Sequence, residues 1–116
     1  MRVTSSLFVS AHVRRCFTAG AFALVERRGA EEAGAIFIRV DRPDGSSQLL
    51  TPAPQAVYDD SHPPERLWQP YGEGKPPTRA EIAEKLAREI RVDPDIWIVV
   101  VEDKEGRSFL PERLLV

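Results

Sequence analysis

The sequence predicts an α+β fold, a mostly antiparallel sheet of four or five strands with two helices packed on one face. Three observations lead there. Two segments, near residues 4–20 and 78–93, carry apolar side chains at helical spacing between capping signals. Short apolar runs separated by turn residues fill 21–51, linked too closely for parallel crossovers. An unbroken apolar run at 96–101 follows the second helical segment.

The first helix opens at Thr4, Ser5 or Ser6, each able to accept a hydrogen bond from an orphan amide. Val9, Val13, Cys16 and Gly20 then form one stripe, with Gly20 as a C-terminal stop. Arg14 and Arg15 point away from that stripe, and Leu7 and Phe8 also lie off it, which gives the helix a second contact surface. Phe22-Ala23-Leu24-Val25 reads as a strand, followed by a turn at Arg27-Arg28-Gly29 and a second strand over 35–40. Asp41-Arg42-Pro43-Asp44-Gly45 has Pro pre-set for the first turn position and Gly where positive φ is needed, so Gln48-Leu49-Leu50-Thr51 returns as a hairpin.

Residues 52–77 form a long Pro- and aromatic-rich loop, holding seven of the ten prolines together with Tyr58, Trp68 and Tyr71. So long a stretch without regular structure is functional or disordered, and three large aromatics argue that it packs against the body. Leu67-Trp68-Gln69 fits a short edge strand closed by Pro70. Thr78-Arg79-Ala80-Glu81 is a capping box, and Ile82, Leu86 and Ile90 continue it as a helix that Asp93-Pro94 ends. Glu81 with Lys85, and Glu84 with Arg88, stand in the favourable i, i+4 order. The run at 96–101 suits a central strand covered on both faces. Asp103-Lys104-Glu105-Gly106 then turns the chain toward Ser108-Phe109-Leu110, stopped by Pro111.

Length and composition set the frame. The 116 residues suit a single domain over 1–116, and 42% hydrophobic with 29% charged side chains reads as globular, neither disordered nor membrane-embedded. A net charge of −2 creates no global field toward nucleic acid or lipid. The single cysteine, Cys16, permits no internal disulfide and favours a reducing, cytoplasmic compartment. His12, Arg14 and Arg15 break the N-terminal apolar stretch before it reaches the length of an export signal, and no run approaches a membrane span.

Candidate chemistry is sparse. His12 and Cys16 lie four apart on a helix and can share a metal ion, with His62 and Asp59 or Asp60 as further ligands; without a paired CxxC or HxxxH motif, no metal or cofactor is expected. Cys16 can act as a nucleophile with His12 or His62 as base, but it sits on the predicted buried stripe. Gly72-Glu73-Gly74-Lys75 resembles a fragment of a phosphate loop, yet Pro76-Pro77 supplies no amide where the motif needs donors. The adjacent pairs Glu31-Glu32 and Asp59-Asp60 point opposite ways in extended chain and suit solvated turns. Arg2, Arg14, Arg15, Arg27, Arg28, Arg39 and Arg42 make the N-terminal half Arg-rich, without the interleaved aromatics of a nucleic-acid stripe. Tyr58, Trp68 and Tyr71 suit either interface anchors or pins holding a long loop to its own domain.

Several strings together resemble one family: Phe8-Val9-Ser10-Ala11 with Arg14-Arg15-Cys16, Gly20-Ala21-Phe22-Ala23, Glu31-Glu32-Ala33-Gly34-Ala35-Ile36, Asp44-Gly45, Pro52-Ala53-Pro54-Gln55, and Asp93-Pro94-Asp95-Ile96-Trp97 running into Val101-Glu102-Asp103. The chain resembles the DUF1491 family of small alphaproteobacterial proteins, a domain of unknown function. That resemblance implies a bacterial, cytosolic origin and carries over no activity, cofactor or catalytic residue.

The expected function is a non-catalytic protein-interaction module, binding a protein partner or itself through Tyr58, Trp68, Tyr71, Arg14 and Arg15. The alternative is a small enzyme with its site between the 52–77 loop and the first helix, using His62, Asp59 or Asp60, and Cys16. A second alternative is weak nucleic-acid binding through the Arg-rich half, which the charge balance disfavours.

Overall fold

The computed structural model describes residues 3–54, 65–72 and 74–116. In chain order these form α1 (Ser5–Thr18), β1 (Phe22–Arg27), β2 (Ile36–Asp41), β3 (Ser47–Pro52), β4 (Trp68–Pro70), α2 (Arg79–Val92) and β5 (Trp97–Glu102), followed by a single 3-10 turn at Glu112–Leu114. The fold is α+β, and its one five-stranded sheet has the order β1-β5-β2-β3-β4. β5 runs parallel to β2; every other neighbouring pair is antiparallel.

Local chemistry explains the ends of α1. The Thr4 hydroxyl accepts from the Leu7 amide at 3.2 Å. At the other end Gly20 takes φ +88, while its amide donates to the Phe17 carbonyl and that of Ala21 to the Cys16 carbonyl, a Schellman closure. The α2 capping box forms as its residues foretell: Glu81 N–H donates to Thr78 Oγ1 at 3.1 Å, and Thr78 N–H to Glu81 Oε1 at 3.0 Å. Because that carboxylate is committed to the cap, Lys85 pairs instead with Glu89, at 2.5 Å. Between β2 and β3, Gly45 at φ +91 donates to the Arg42 carbonyl and closes the hairpin that Pro43 begins.

The two helices lie on opposite faces of the sheet, not on one. Val9 and Cys16 of α1 pack with Ile36, Ile38, Val40, Trp97, Val99 and Val101. Ile82 and Leu86 of α2 pack with Phe37, Leu49, Ile96 and Ile98. Successive strand residues point to opposite faces, so strands apolar at every position require cover on both sides. β5 meets the expectation of a strand buried from both faces: its residues 97–101 are all at most 4% exposed.

β1 and β2, adjacent in sequence, do not form a hairpin, because β5 inserts between them. Their connection is instead tied to the start of α1, where the Ser5 and Ser6 amides donate to the Glu32 and Glu31 carbonyls and Ser5 Oγ donates to the Gly34 carbonyl at 2.6 Å. The two sheet edges differ. β4, the expected edge strand, is bridged by Leu115 and accepts from the Val116 amide at 2.9 Å. Among the described residues β1 pairs on one side only, with β5. Among the described residues no helix is long and apolar enough to cross a membrane.

Candidate functional site

The structure brings His12 and Cys16 together as their i, i+4 spacing requires: Nε2 lies 3.8 Å from Sγ. Both are closed off from water, at 1% and 0% exposure. Arg15 Nη1 stands 3.3 Å from His12 Nδ1. A guanidinium only donates, so Nδ1 accepts and the proton belongs on Nε2, beside the sulfur. Burial first, and then the Arg15 charge, lower the imidazole to about 4 against a backbone hydrogen bond with Ser108. Burial likewise pushes the Cys16 thiol up. Thiol and imidazole are thus both held neutral, the reverse of the thiolate–imidazolium pair of an activated nucleophile. His62, Asp59 and Asp60, the other members of the enzyme reading, lie outside the described residues. Among the described residues no three His, Cys, Asp or Glu side chains are grouped to hold a metal ion.

The aromatic group separates. Trp68 is a core residue, 1% exposed, with its Nε1 donating to the Ile36 carbonyl at 2.9 Å and its ring stacked on Phe8 at 5.1 Å. It cannot anchor a partner from there, which corrects its place in the expected surface. Tyr71 is half-buried against the α2-side core, with the Lys85 ammonium 5.4 Å from its ring centre. Tyr58 lies outside the described residues.

Four arginines of the N-terminal half are tied down within the fold. Arg27 donates to the Pro94 carbonyl at 2.8 Å, Arg42 to that of Glu105 at 2.9 Å, and Arg15 to that of Phe109 at 3.5 Å. Arg39 grips Asp41 through two nitrogens, its Nε at 3.0 Å from Oδ1, and also reaches Glu26. At the carboxyl ends of the parallel pair β2 and β5, Arg42, Arg79 and Arg107 line a polar cleft of about 710 Å³ with Asp41, Asp103 and Glu105. Arg107 holds Asp103 bidentately and, as the first cause, draws that carboxyl down to about 2. The cleft is balanced in charge, and its three arginines are already engaged within the fold.

A different surface was not singled out from residues alone. Ser6, Ser10, Val13, Arg14 and Phe17 of α1 face Val25, Arg28 and Trp97 across a groove of about 450 Å³. Phe17 is 51% exposed, Phe22 46%, Leu24 39% and Val25 39%. Phe17 meets Phe22 edge-on at 5.4 Å, so the groove runs into an exposed aromatic pair at the start of β1. Val25 shares the α1 face with Ala23, while Phe22 and Leu24 lie on the opposite face, beyond the reach of the α2-side core. The first four residues of β1 are therefore apolar on both faces, and among the described residues no strand pairs with its outer edge. The signal in the sequence was the second helical stripe, Ser6-Ser10-Val13-Phe17, flanking the buried one. Arg14 belongs to this groove; Arg15 lies on the far side of the helix, against His12.

Comparison with known proteins agrees with this architecture. A DUF1491 family protein from Caulobacter crescentus has a crystal structure that superimposes with a TM-score of 0.80 at 32% identity, covering 100% of this chain and 99% of that one. The solution structure of protein Atu0922 from A. tumefaciens gives 0.73 at 47% identity over 89% and 87%. An NMR structure of a DUF1491 family protein from C. crescentus gives 0.76 at 34% identity over 95% and 94%. No curated protein matches the chain. The model of a protein of unknown function, DUF1491, matches residues 3–111, and the chain belongs to that family.

Proposed function

We propose that the protein is a non-catalytic interaction module whose contact surface is the free edge of β1 with the adjoining α1 groove. One observation carries this reading: the first four residues of β1, Phe22 to Val25, are all apolar yet occupy a sheet edge. Edge strands are ordinarily protected by charge, proline or cover; the first four residues of β1 carry neither charge nor proline, and only Ala23 among them is buried. A contiguous apolar patch of this kind on a folded chain marks an interaction site. The neutral, enclosed His12–Cys16 pair supports a packing role for both side chains. The continuous sheet with a core on each face supports reading residues 1–116 as one domain. A single buried thiol fits a reducing, cytoplasmic setting.

The test uses the full chain and Leu24→Lys, a charge placed at an exposed edge position. Affinity purification from the native cells, followed by hydrogen exchange on what is recovered, should show slowed exchange of the β1 amides in a complex that Leu24→Lys loses. Complexes retained unchanged by the variant, with β1 amides exchanging as in the isolated chain, would refute the surface.

A further inference from the structure

Resting on that strand-accepting surface, we infer that the groove takes an extended segment of another protein in which apolar side chains are accompanied by carboxylates. A chain laid along the outer edge of β1 continues the sheet by backbone hydrogen bonds, and its alternate side chains fall on the α1 side. There they meet Val13, Phe17 and Val25 inside the groove. The remaining side chains lie beside Phe22 and Leu24, so the incoming segment finds apolar contacts on both faces.

Charge complementarity selects the partner. Arg14 and Arg28 are the charged residues lining the groove, and no acidic side chain lines it. Both are exposed. Among the described residues the ion pairs join Arg39, Lys85, Arg107 and Arg113 to carboxylates, and neither groove arginine takes part. Arg28 is held by stacking, its guanidinium 5.1 Å from the centre of the Trp97 ring, so its fork remains available to a carboxylate. A segment bearing Asp or Glu gains charge-assisted hydrogen bonds at both arginines, whereas a Lys-bearing segment is repelled. A second copy of β1 fits less well. Its carboxylate, Glu26, is already 3.4 Å from Arg39 in its own chain and would leave Arg14 and Arg28 uncompensated.

The experiment is selection of random dodecapeptides displayed on phage against the immobilised full chain, with enriched peptides then titrated onto the wild type, Leu24→Lys and the double variant Arg14→Glu/Arg28→Glu. All three substituted side chains are exposed, and thermal melts confirm that each variant folds. The expected peptides combine apolar residues with Asp or Glu. They bind the double variant about tenfold more weakly, as two partly exposed ion pairs of about threefold each imply, and fail to bind Leu24→Lys. Enriched peptides that are neutral or basic but still lost with Leu24→Lys overturn the acidic partner and leave the β1 surface standing. So does a concentration-dependent dimer abolished by Leu24→Lys in the absence of enrichment. No enrichment from a chain that stays monomeric, or peptides indifferent to Leu24→Lys, overturns both.

Discussion

With an imidazole near 4 in the folded chain against 6.5 in water, His12 binds a proton less readily folded than unfolded. As pH falls below 6.5 the unfolded chain takes up the proton first, so stability is complete above 6.5 and declines toward pH 4. The full gap corresponds to about 3 kcal/mol. Urea midpoints measured from pH 7.5 to 4 should show that decline, and His12→Gln should flatten it. Asp103 has the same sense in a lower window: its lowered carboxyl stabilises the fold above 3.8, and that contribution fades only as pH falls toward 2. The two windows therefore separate His12 from the carboxylates. At this scale the sequence was half legible. Spacing put His12 beside Cys16, but residue type alone does not say whether such a pair is open or enclosed. Trp68 illustrates the same limit. An aromatic on a Pro-rich stretch suggests an anchor, and only the face of a three-residue strand, too short for period-two reading, turns it inward.

Helix ends and turns were the most readable elements, since each depends on a few neighbouring residues. Thr4, Gly20, Gly45 and the Thr78–Glu81 box all act where their types imply. Thr78→Ala should cost about 1 kcal/mol, seen as a lower thermal midpoint without change in the fold. Strand positions were legible too, but not strand neighbours. The turn after Val25 suggested a hairpin with β2, and nothing in residues 22–41 reveals that a segment some sixty positions later displaces that pairing. For the same reason the open edge of β1, and with it the groove against Phe17, was hidden. An edge is a property of the assembled sheet rather than of the strand.

For the whole molecule, the helices straddle the sheet because β2 and β5 are apolar at successive positions, and one helical layer would leave Phe37, Ile96 and Ile98 in water. The expected single-layer arrangement conflicted with the expected burial of β5 from both sides, and the latter prevailed. Trp68 joins α1, β2 and the C-terminal segment in one core, so Trp68→Ala should cost about 3–5 kcal/mol in denaturant unfolding.

The position of β5 also has a consequence in time. Synthesised after the other four strands, it is the shared neighbour of two strands made early, and until it emerges from the ribosome β1 and β2 have no partner in common. Such long-range pairing delays folding and leaves apolar strands open to misassociation. A fragment ending at residue 95 should lack a cooperative melt and bind hydrophobic dyes, while adding a peptide spanning 96–116 should restore the transition. β5 is thus the keystone of the sheet, joining two strands that precede it by more than fifty residues.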